Sequence, residues 1–285
     1  MSRFAVIGSP VGHSRSPAMH AAAYRALGMP HVYEKIETSA EELPARVRSL
    51  REGTFAGLNV TVPHKTEVLA LVDTVDASAS ATGAANTLVR APDGAVRAYN
   101  TDAPALRDEL VRVAGGEPDR FRGRTALVLG SGGAARATIF ALGLLGVGRV
   151  IVRARTEKKE LTRVVEASGA RAAVSFEPLV VPGAEREDLV AIVQATTAGM
   201  DGSSVAGDVV ADAVHWPTVP ADCVVYDVVY APPRTPLVAR AEARGLATDS
   251  GLGMLVGQGA LAFELWLGVK PPRDVMRAAI GGSAS

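Results

Sequence analysis

The sequence predicts an α/β protein made of two units, and three observations lead there. Short β-branched runs alternate with helical patterns along nearly all of its 285 residues, the mark of sheets flanked by helices. Between about 120 and 228 the order is strand, glycine-rich turn, helix, strand, which is how a dinucleotide-binding unit begins. The last stretch, 250–285, reads as helices with no strand of its own and is expected to pack back on the first unit. The domains are therefore expected at 1–103, 104–249 and 250–285, with a cleft between the units as the default binding site.

Strands are expected near 3–7, 32–36, 57–62, 86–90, 96–100, 125–129, 149–153, 190–195 and 223–228. Helices are expected near 17–27, 40–51, 65–72, 104–113, 134–145, 157–168, 236–244, 252–267 and 273–280. Ser16-Pro17 places a hydroxyl cap before a proline at the first helical position. Ser39 and Glu42 have the spacing of a capping box. Pro92-Asp93-Gly94 separates two apolar runs, so 86–100 reads as an antiparallel pair.

Composition narrows the function classes. Apolar residues make up 48% and charged residues 21%, and 30 basic side chains balance 30 acidic ones. With no net positive field, neither nucleic acid nor an anionic membrane is expected as a partner. No apolar run approaches the ~20 residues that span a bilayer, and no secretory signal is visible near Met1. The one cysteine, Cys223, can form no internal disulfide, and the five histidines lack metal-ligand spacing, so no metal is expected. A cytoplasmic protein, monomeric or homodimeric, that handles a small molecule is the expectation.

Thr125-Ala126-Leu127-Val128-Leu129 runs into Gly130-Ser131-Gly132-Gly133-Ala134-Ala135, the G-x-G-x-x-A turn that follows a buried strand and opens a helix. Gly130 allows the tight turn, Gly132 lets the backbone approach a pyrophosphate, and amides at the helix start face the anion. The next strand ends in Val152-Arg153-Ala154-Arg155-Thr156, with Lys158-Lys159 beyond it. A carboxylate there would hold a ribose hydroxyl, whereas a guanidinium grips a 2′-phosphate with two parallel bonds. NADP is favoured over NAD, on a Rossmann-type unit.

The first unit carries more small polar groups than folding needs. They fall in Gly12-His13-Ser14-Arg15-Ser16-Pro17, Asn59-Val60-Thr61-Val62-Pro63-His64-Lys65, Ala85-Asn86-Thr87 and Asn100-Thr101-Asp102. Asn59 and Thr61 alternate with apolar neighbours on an interior strand, a costly placement unless something pairs with them. Such a set suits a polyhydroxylated small acid: Ser14 and Ser16 can donate to a carboxylate, while Asn59, Thr61 and Asn86 can bond ring hydroxyls. Hydride reduction of a ketone makes an alkoxide, which needs a proton donor. Lys65 can deliver one, as arginine cannot, and Asp102 can steady the ammonium. Lys65 also fits a surface lysine on helix 65–72, and Asp102 an N-cap of helix 104–113. His13 and His64 read as structural or rim groups.

Taken together, these stretches resemble shikimate dehydrogenase over nearly the whole chain. Ala195-Thr196-Thr197-Ala198-Gly199, Tyr226-Asp227-Val228-Val229-Tyr230 and Gly251-Leu252-Gly253-Met254-Leu255-Val256-Gly257-Gln258 extend the likeness. The resemblance implies an N-terminal αβ substrate domain, an NADP domain, and NADPH-dependent reduction of 3-dehydroshikimate to shikimate on the way to chorismate and the aromatic amino acids. It implies Lys65 and Asp102 as the catalytic pair, Ser14 and Ser16 at the carboxylate, and Asn59, Thr61, Asn86, Tyr230 and Gln258 around the ring. Gly130, Ser131, Gly132, Gly133 and Ala134 would cradle the pyrophosphate. Arg155, Thr156 and Lys159 would hold the 2′-phosphate, and Val228 and Gly251 would lie near the nicotinamide. The chain departs from the family's common pattern at Tyr99, Ala103, Ser131, Ala154 and Lys159, none of them in the catalytic pair. Two rival readings stand beside this one, a quinate or dual-specificity relative and a non-catalytic metabolite sensor. The sensor is disfavoured by the presence of both Lys65 and Asp102.

Overall fold

The structure is a computed structural model that describes residues 1–180 and 183–281. In chain order the elements of the first unit are β1 (Arg3–Gly8), α1 (Ser16–Ala26), β2 (Val32–Glu37), α2 (Leu43–Arg51), β3 (Gly57–Val60), β4 (Thr74–Val75), α3 (Ala77–Thr82), β5 (Thr87–Arg90) and β6 (Val96–Tyr99). Next come α4 (Asp102–Val113), β7 (Thr125–Leu129), α5 (Gly133–Leu144), β8 (Arg149–Ala154), α6 (Leu161–Ala167), β9 (Ala173–Pro178), β10 (Leu189–Gln194), α7 (Asp208–Ala211), β11 (Val224–Asp227), α8 (Pro236–Ala243) and β12 (Thr248–Ser250). The chain closes with α9 (Leu252–Leu267) and α10 (Arg273–Ala278). Two compact units result, one of residues 1–102 with 255–285 and one of 103–254.

In the first unit, six strands run in the order β2-β1-β3-β5-β6-β4. β1 pairs in parallel with β2 and β3, and β5 pairs antiparallel with β3 and β6, giving the expected hairpin around Asp93. Ile7, Leu58, Leu88 and Ala98 from these strands bury themselves against Val47 and Leu50 of α2. The C-terminal helices belong here, as the sequence predicts. Trp266 of α9 donates its indole N–H to Leu88 O at 3.0 Å, and Arg15 donates to Ile280 O at 3.0 Å.

The second unit is an all-parallel sheet, β12-β11-β10-β7-β8-β9. One face is covered by α4, α5 and α6 through Leu106, Leu110, Ile139 and Val164, the other by α7 and α8 through Val210, Ala211 and Leu237. Helices on both faces explain why β7 and β10 are apolar without alternation. β7 lies between β8 and β10, so the glycine turn that follows β7 sits where strand order reverses, the place at which open parallel sheets bind ligands.

Several expectations change. Residues 65–72 form no α-helix: a short 3-10 turn spans Glu67–Leu71, and Lys65 precedes it. β3 ends at Val60, so Thr61 lies one residue past the strand. Ser16 is the first residue of α1 rather than its cap; the Ser16 amide donates to Ser14 Oγ at 3.3 Å instead. Asp102 opens α4, two residues earlier than expected. Helix 157–168 shrinks to Leu161–Ala167. Residues 250–254 group with the second unit rather than with the C-terminal helices, because β12 (Thr248–Ser250) pairs with β11. The reciprocal bonds of the capping box form, Ser39 N donating to Glu42 Oε2 at 2.8 Å and Glu42 N to Ser39 Oγ at 3.3 Å. They precede α2, however, which starts at Leu43 rather than at 40 and has Glu42 as its N-cap.

Candidate functional site

In the first unit the polar stretches converge on one carboxylate. Asp102 is 4% exposed. Its Oδ2 accepts from Lys65 Nζ at 2.7 Å and its Oδ1 from Asn86 Nδ2 at 2.8 Å. The Lys65 side chain is 15% exposed, so the ammonium faces little water and spends one donor on this carboxylate. The turn that carries it is fixed from behind by Ala85 N, which donates to Lys65 O at 2.7 Å. Asn86 precedes β5, and its amide has two protons for three acceptors: Asp102 Oδ1, Thr101 Oγ1 at 2.9 Å and Gln258 Oε1 at 3.3 Å. Asn86 Oδ1 in turn accepts from Thr101 N at 2.7 Å. Gln258 thus joins the set from α9, across 172 residues of sequence.

Asn59 and Thr87 form the adjoining layer. Asn59 Nδ2 donates to Asn86 O and to Thr87 Oγ1, both at 3.0 Å, and Thr87 Oγ1 lies 3.2 Å from Thr101 Oγ1. Ser16 is buried, and Ser14 and Thr61 are half-buried. Thr61 stays backbone-bonded at the strand end, through Thr61 N to Ile7 O at 2.9 Å and His64 N to Thr61 O at 3.0 Å. His64 is buried with Nε2 against Thr38 O at 2.7 Å, a structural group as expected. Thr87, Thr101 and Tyr33 take part without being among the expected site residues. The two threonines lie inside motifs that carry the resemblance, whereas Tyr33 leaves no signal in the strand pattern.

His20 offers no rival acid in this unit's interior. His20 stacks on Tyr33 at 4.3 Å with rings 2° apart, and neither of its ring nitrogens has a hydrogen-bond partner. Burial alone pushes its pKa down to about 3, so at neutral pH it is an uncharged ring.

The second unit carries the glycine turn. Gly130 adopts φ +116°, and a Cβ there would meet Thr196 Cγ2 at 2.5 Å. Gly132, by contrast, has nothing within 4 Å of a Cβ position, an open cradle at the start of α5. Ser131 Oγ donates to Thr156 O at 3.1 Å and so ties the turn to the end of β8. Gly133 and Ala134 begin the helix. Past β8, Arg155, Thr156 and Lys159 are exposed, and among the described residues neither cation has an ion-pair partner. Arg153 is different. It is 3% exposed and points into Glu185 and Glu177, at 2.6 Å each, and Ala213 O at 2.9 Å. It is neutralised inside the fold, whereas Arg155 and Lys159 stay exposed.

At the end of β11, Asp227 shapes the turn that bears Val228 and Tyr230. Its carboxylate accepts from Val229 N at 2.9 Å and Thr235 Oγ1 at 2.6 Å. Burial raises its pKa to about 6, and those two bonds resist the rise. Val228 N donates to Gln194 O at 3.1 Å, and Gly251 N donates to Val229 O at 3.1 Å, so Val228 and Gly251 lie backbone to backbone. Among the described residues no group of three or more His, Cys, Asp and Glu side chains could hold a metal ion. No helix among them is long and apolar enough to cross a membrane.

The chain is similar in sequence and fold to known proteins. A family model described as the shikimate dehydrogenase substrate binding domain matches residues 6–88, and one for the shikimate 5′-dehydrogenase C-terminal domain matches 251–280. A shikimate dehydrogenase (NADP(+)) of Methylobacterium radiotolerans is 41% identical over 93% of this chain and 91% of its own. The crystal structure of a Thermus thermophilus shikimate 5-dehydrogenase with NADP(H) and shikimate superposes with a TM-score of 0.79 at 38% identity, covering 98% of each chain. A ligand-free 5-ketofructose reductase from a Gluconobacter strain reaches a TM-score of 0.84 at 27% identity, over 98% of this chain and 97% of that one.

Proposed function

The chain belongs to the shikimate dehydrogenase family, and from that premise we propose how its residues divide the work. It is an NADP-dependent oxidoreductase acting on a CH–OH group, and it interconverts 3-dehydroshikimate and shikimate with NADPH as reductant. The substrate residues other than Tyr230 lie in the unit of 1–102 with 255–285, and the cofactor residues lie in 103–254. The open space at Gly132 and the exposed pair Arg155 and Lys159 fit a dinucleotide with a 2′-phosphate. When bound, the nicotinamide supplies the hydride.

Lys65 and Asp102 are the catalytic pair. During reduction the ketone oxygen gathers negative charge, and the Lys65 ammonium stabilises it and then transfers a proton to it. The balance is one hydride to carbon and one proton to oxygen, leaving Lys65 as a neutral amine beside the Asp102 carboxylate. In the oxidative direction the amine takes the alcohol proton. Asp102 holds Nζ in one place, and Asn86 holds Asp102. Ser14 and Ser16 donate to the substrate carboxylate, and Thr61, Asn59, Asn86, Gln258 and Tyr230 serve the ring hydroxyls. Ser131, Gly133 and Ala134 would complete the pyrophosphate turn, Thr156 would assist Arg155, and Val228 and Gly251 would hold the nicotinamide end. The cytoplasm is the compartment that suits a chain with one cysteine, buried and unpaired.

The observation that carries this reading is the 2.7 Å contact between Lys65 Nζ and Asp102 Oδ2, with both side chains largely shielded from water. The test follows NADPH formation from shikimate. Lys65→Ala should lower kcat by about 10²–10⁴ with little change in shikimate affinity. Near-native turnover in that variant removes Lys65 from the chemistry, and a preference for quinate with NAD overturns the substrate assignment.

A further inference from the structure

We propose that the Tyr33 hydroxyl is a positioning group for substrate binding, acting through Asn59 and Thr87 on the polar wall that ends at Asp102 and Lys65. The inference rests on the assignment of those last residues to the substrate.

The starting point is Asn59, 5% exposed and with both amide protons committed. Asn86 O can only accept, so the nitrogen of the Asn59 amide must face it, as it does at 3.0 Å. That fixes the amide's direction. The second amide proton goes to Thr87 Oγ1 at 3.0 Å. Asn59 Oδ1 then faces Tyr33 OH at 2.7 Å, and the phenol is the donor. Both Asn59 protons are used inside the protein. What remains for a substrate is a lone pair on Oδ1, so Asn59 meets a ring hydroxyl as an acceptor, steered by the tyrosine on its other side.

The network continues inward. Thr87 Oγ1 accepts from Asn59, so its own proton goes to Thr101 Oγ1 at 3.2 Å or to Asn86 Oδ1 at 3.4 Å. Asn86 hands on to Asp102, and Asp102 to Lys65. Every side chain from Tyr33 to Asp102 is buried, so each lost bond strands a polar atom away from water. Tyr33 is itself held. His20 stacks flat on its ring, the Ser16 side chain adjoins its hydroxyl, and burial keeps the phenol protonated. The same tyrosine therefore touches the side chain assigned to the substrate carboxylate and the one assigned to a ring hydroxyl.

Kinetics of Tyr33→Phe, which keeps the stacked ring and deletes only the donor, test this. The KM for shikimate should rise about five- to tenfold, kcat should stay within about threefold, and the KM for NADP should not move. Thr87→Val should give the same signature and Thr87→Ser should restore native values. The double variant should raise the KM by less than the product of the two single factors, since both cut one chain. A merely structural tyrosine would lower Tm and leave the shikimate KM alone, which overturns the proposal, as does strict multiplicativity. If Tyr33→Phe does not fold, the Val and Ser variants at 87 decide. A native enzyme inactive on shikimate defeats the parent reading and this one with it. An active enzyme that needs Lys65 but ignores both substitutions defeats this inference alone.

Discussion

At the scale of single residues, the cofactor end turns on which cations remain available. Arg153 and Arg155 look equivalent in the sequence, yet Arg153 is consumed by two carboxylates inside the fold. Arg155 stands exposed beyond the strand end without such partners among the described residues. Arg155→Ser should therefore raise the KM for NADP by at least about tenfold, since a charge-assisted phosphate contact is worth roughly 1.5–3 kcal/mol, and change the KM for NAD little. Equal effects on both cofactors would show that the guanidinium does not touch the 2′-phosphate. The sequence presents the two arginines as neighbours of like type. It cannot present their fates, which depend on Glu177 and Glu185 arriving from 24 and 32 residues away. The same limit applies to Tyr33: its role is set by Asn59, 26 residues on, so a strand pattern reveals only that it is half of an alternation.

At the scale of elements, the glycine turn after β7 separates two reasons for a glycine that read alike in the motif. Gly130 is required by the fold, with a left-handed φ and Thr196 in the way of any Cβ. Gly132 is required by nothing in the protein itself, because its Cβ position is open. Gly130→Ala should lower Tm by several degrees whether or not cofactor is present. Gly132→Ala should leave the Tm of the free protein unchanged and raise the KM for NADP sharply, because the methyl occupies the space where the backbone approaches pyrophosphate. A loss of stability in Gly132→Ala without a cofactor effect would refute the cradle. Legibility of elements follows the same division between local and distant causes. α9 is legible at its observed bounds because sixteen residues of helical periodicity carry their own signal. β9 carries only a short alternation, Val174 and Phe176 against Ser175 and Glu177, and β12 carries none. They are outer strands, Ala-Val-Ser-Phe-Glu-Pro and Thr-Asp-Ser, specified by pairing with β8 and β11 rather than by any apolar run. The helix expected at 65–72 fails for a related reason: Lys65 is pinned by Ala85 N, which holds its carbonyl out of any helical ladder.

At the scale of the whole molecule, each unit contains a buried titratable group whose charge the fold resists, and the two act in opposite directions with pH. His20 in the first unit has its pKa lowered from 6.5 to about 3. Below pH 6.5 the unfolded chain takes a proton that the folded one refuses, so stability present at neutral pH is lost as pH falls toward 3. Asp227 in the second unit has its pKa raised from 3.8 to about 6. Between those values the folded chain keeps a proton that the unfolded one has released. Its contribution is therefore complete below pH 3.8 and is lost as pH rises through 6. Over pH 4 to 6 the two slopes oppose each other, and the native protein should show a flatter acid profile than either group alone would give. Removing one exposes the other. Relative to the native protein, His20→Phe should gain stability as pH drops from 7 to 5, by on the order of 2 kcal/mol at about 1.4 kcal/mol per pKa unit. Asp227→Asn should lose relative stability over the same range, by on the order of 1 kcal/mol. Urea midpoints at pH 5 and 7 for the three proteins read both signs. Matching pH slopes in all three would mean that neither buried group titrates with folding. Because Asp227 also holds the turn bearing Val228, its substitution should disturb the KM for NADP, whereas His20→Phe, which keeps a flat ring against Tyr33, should not.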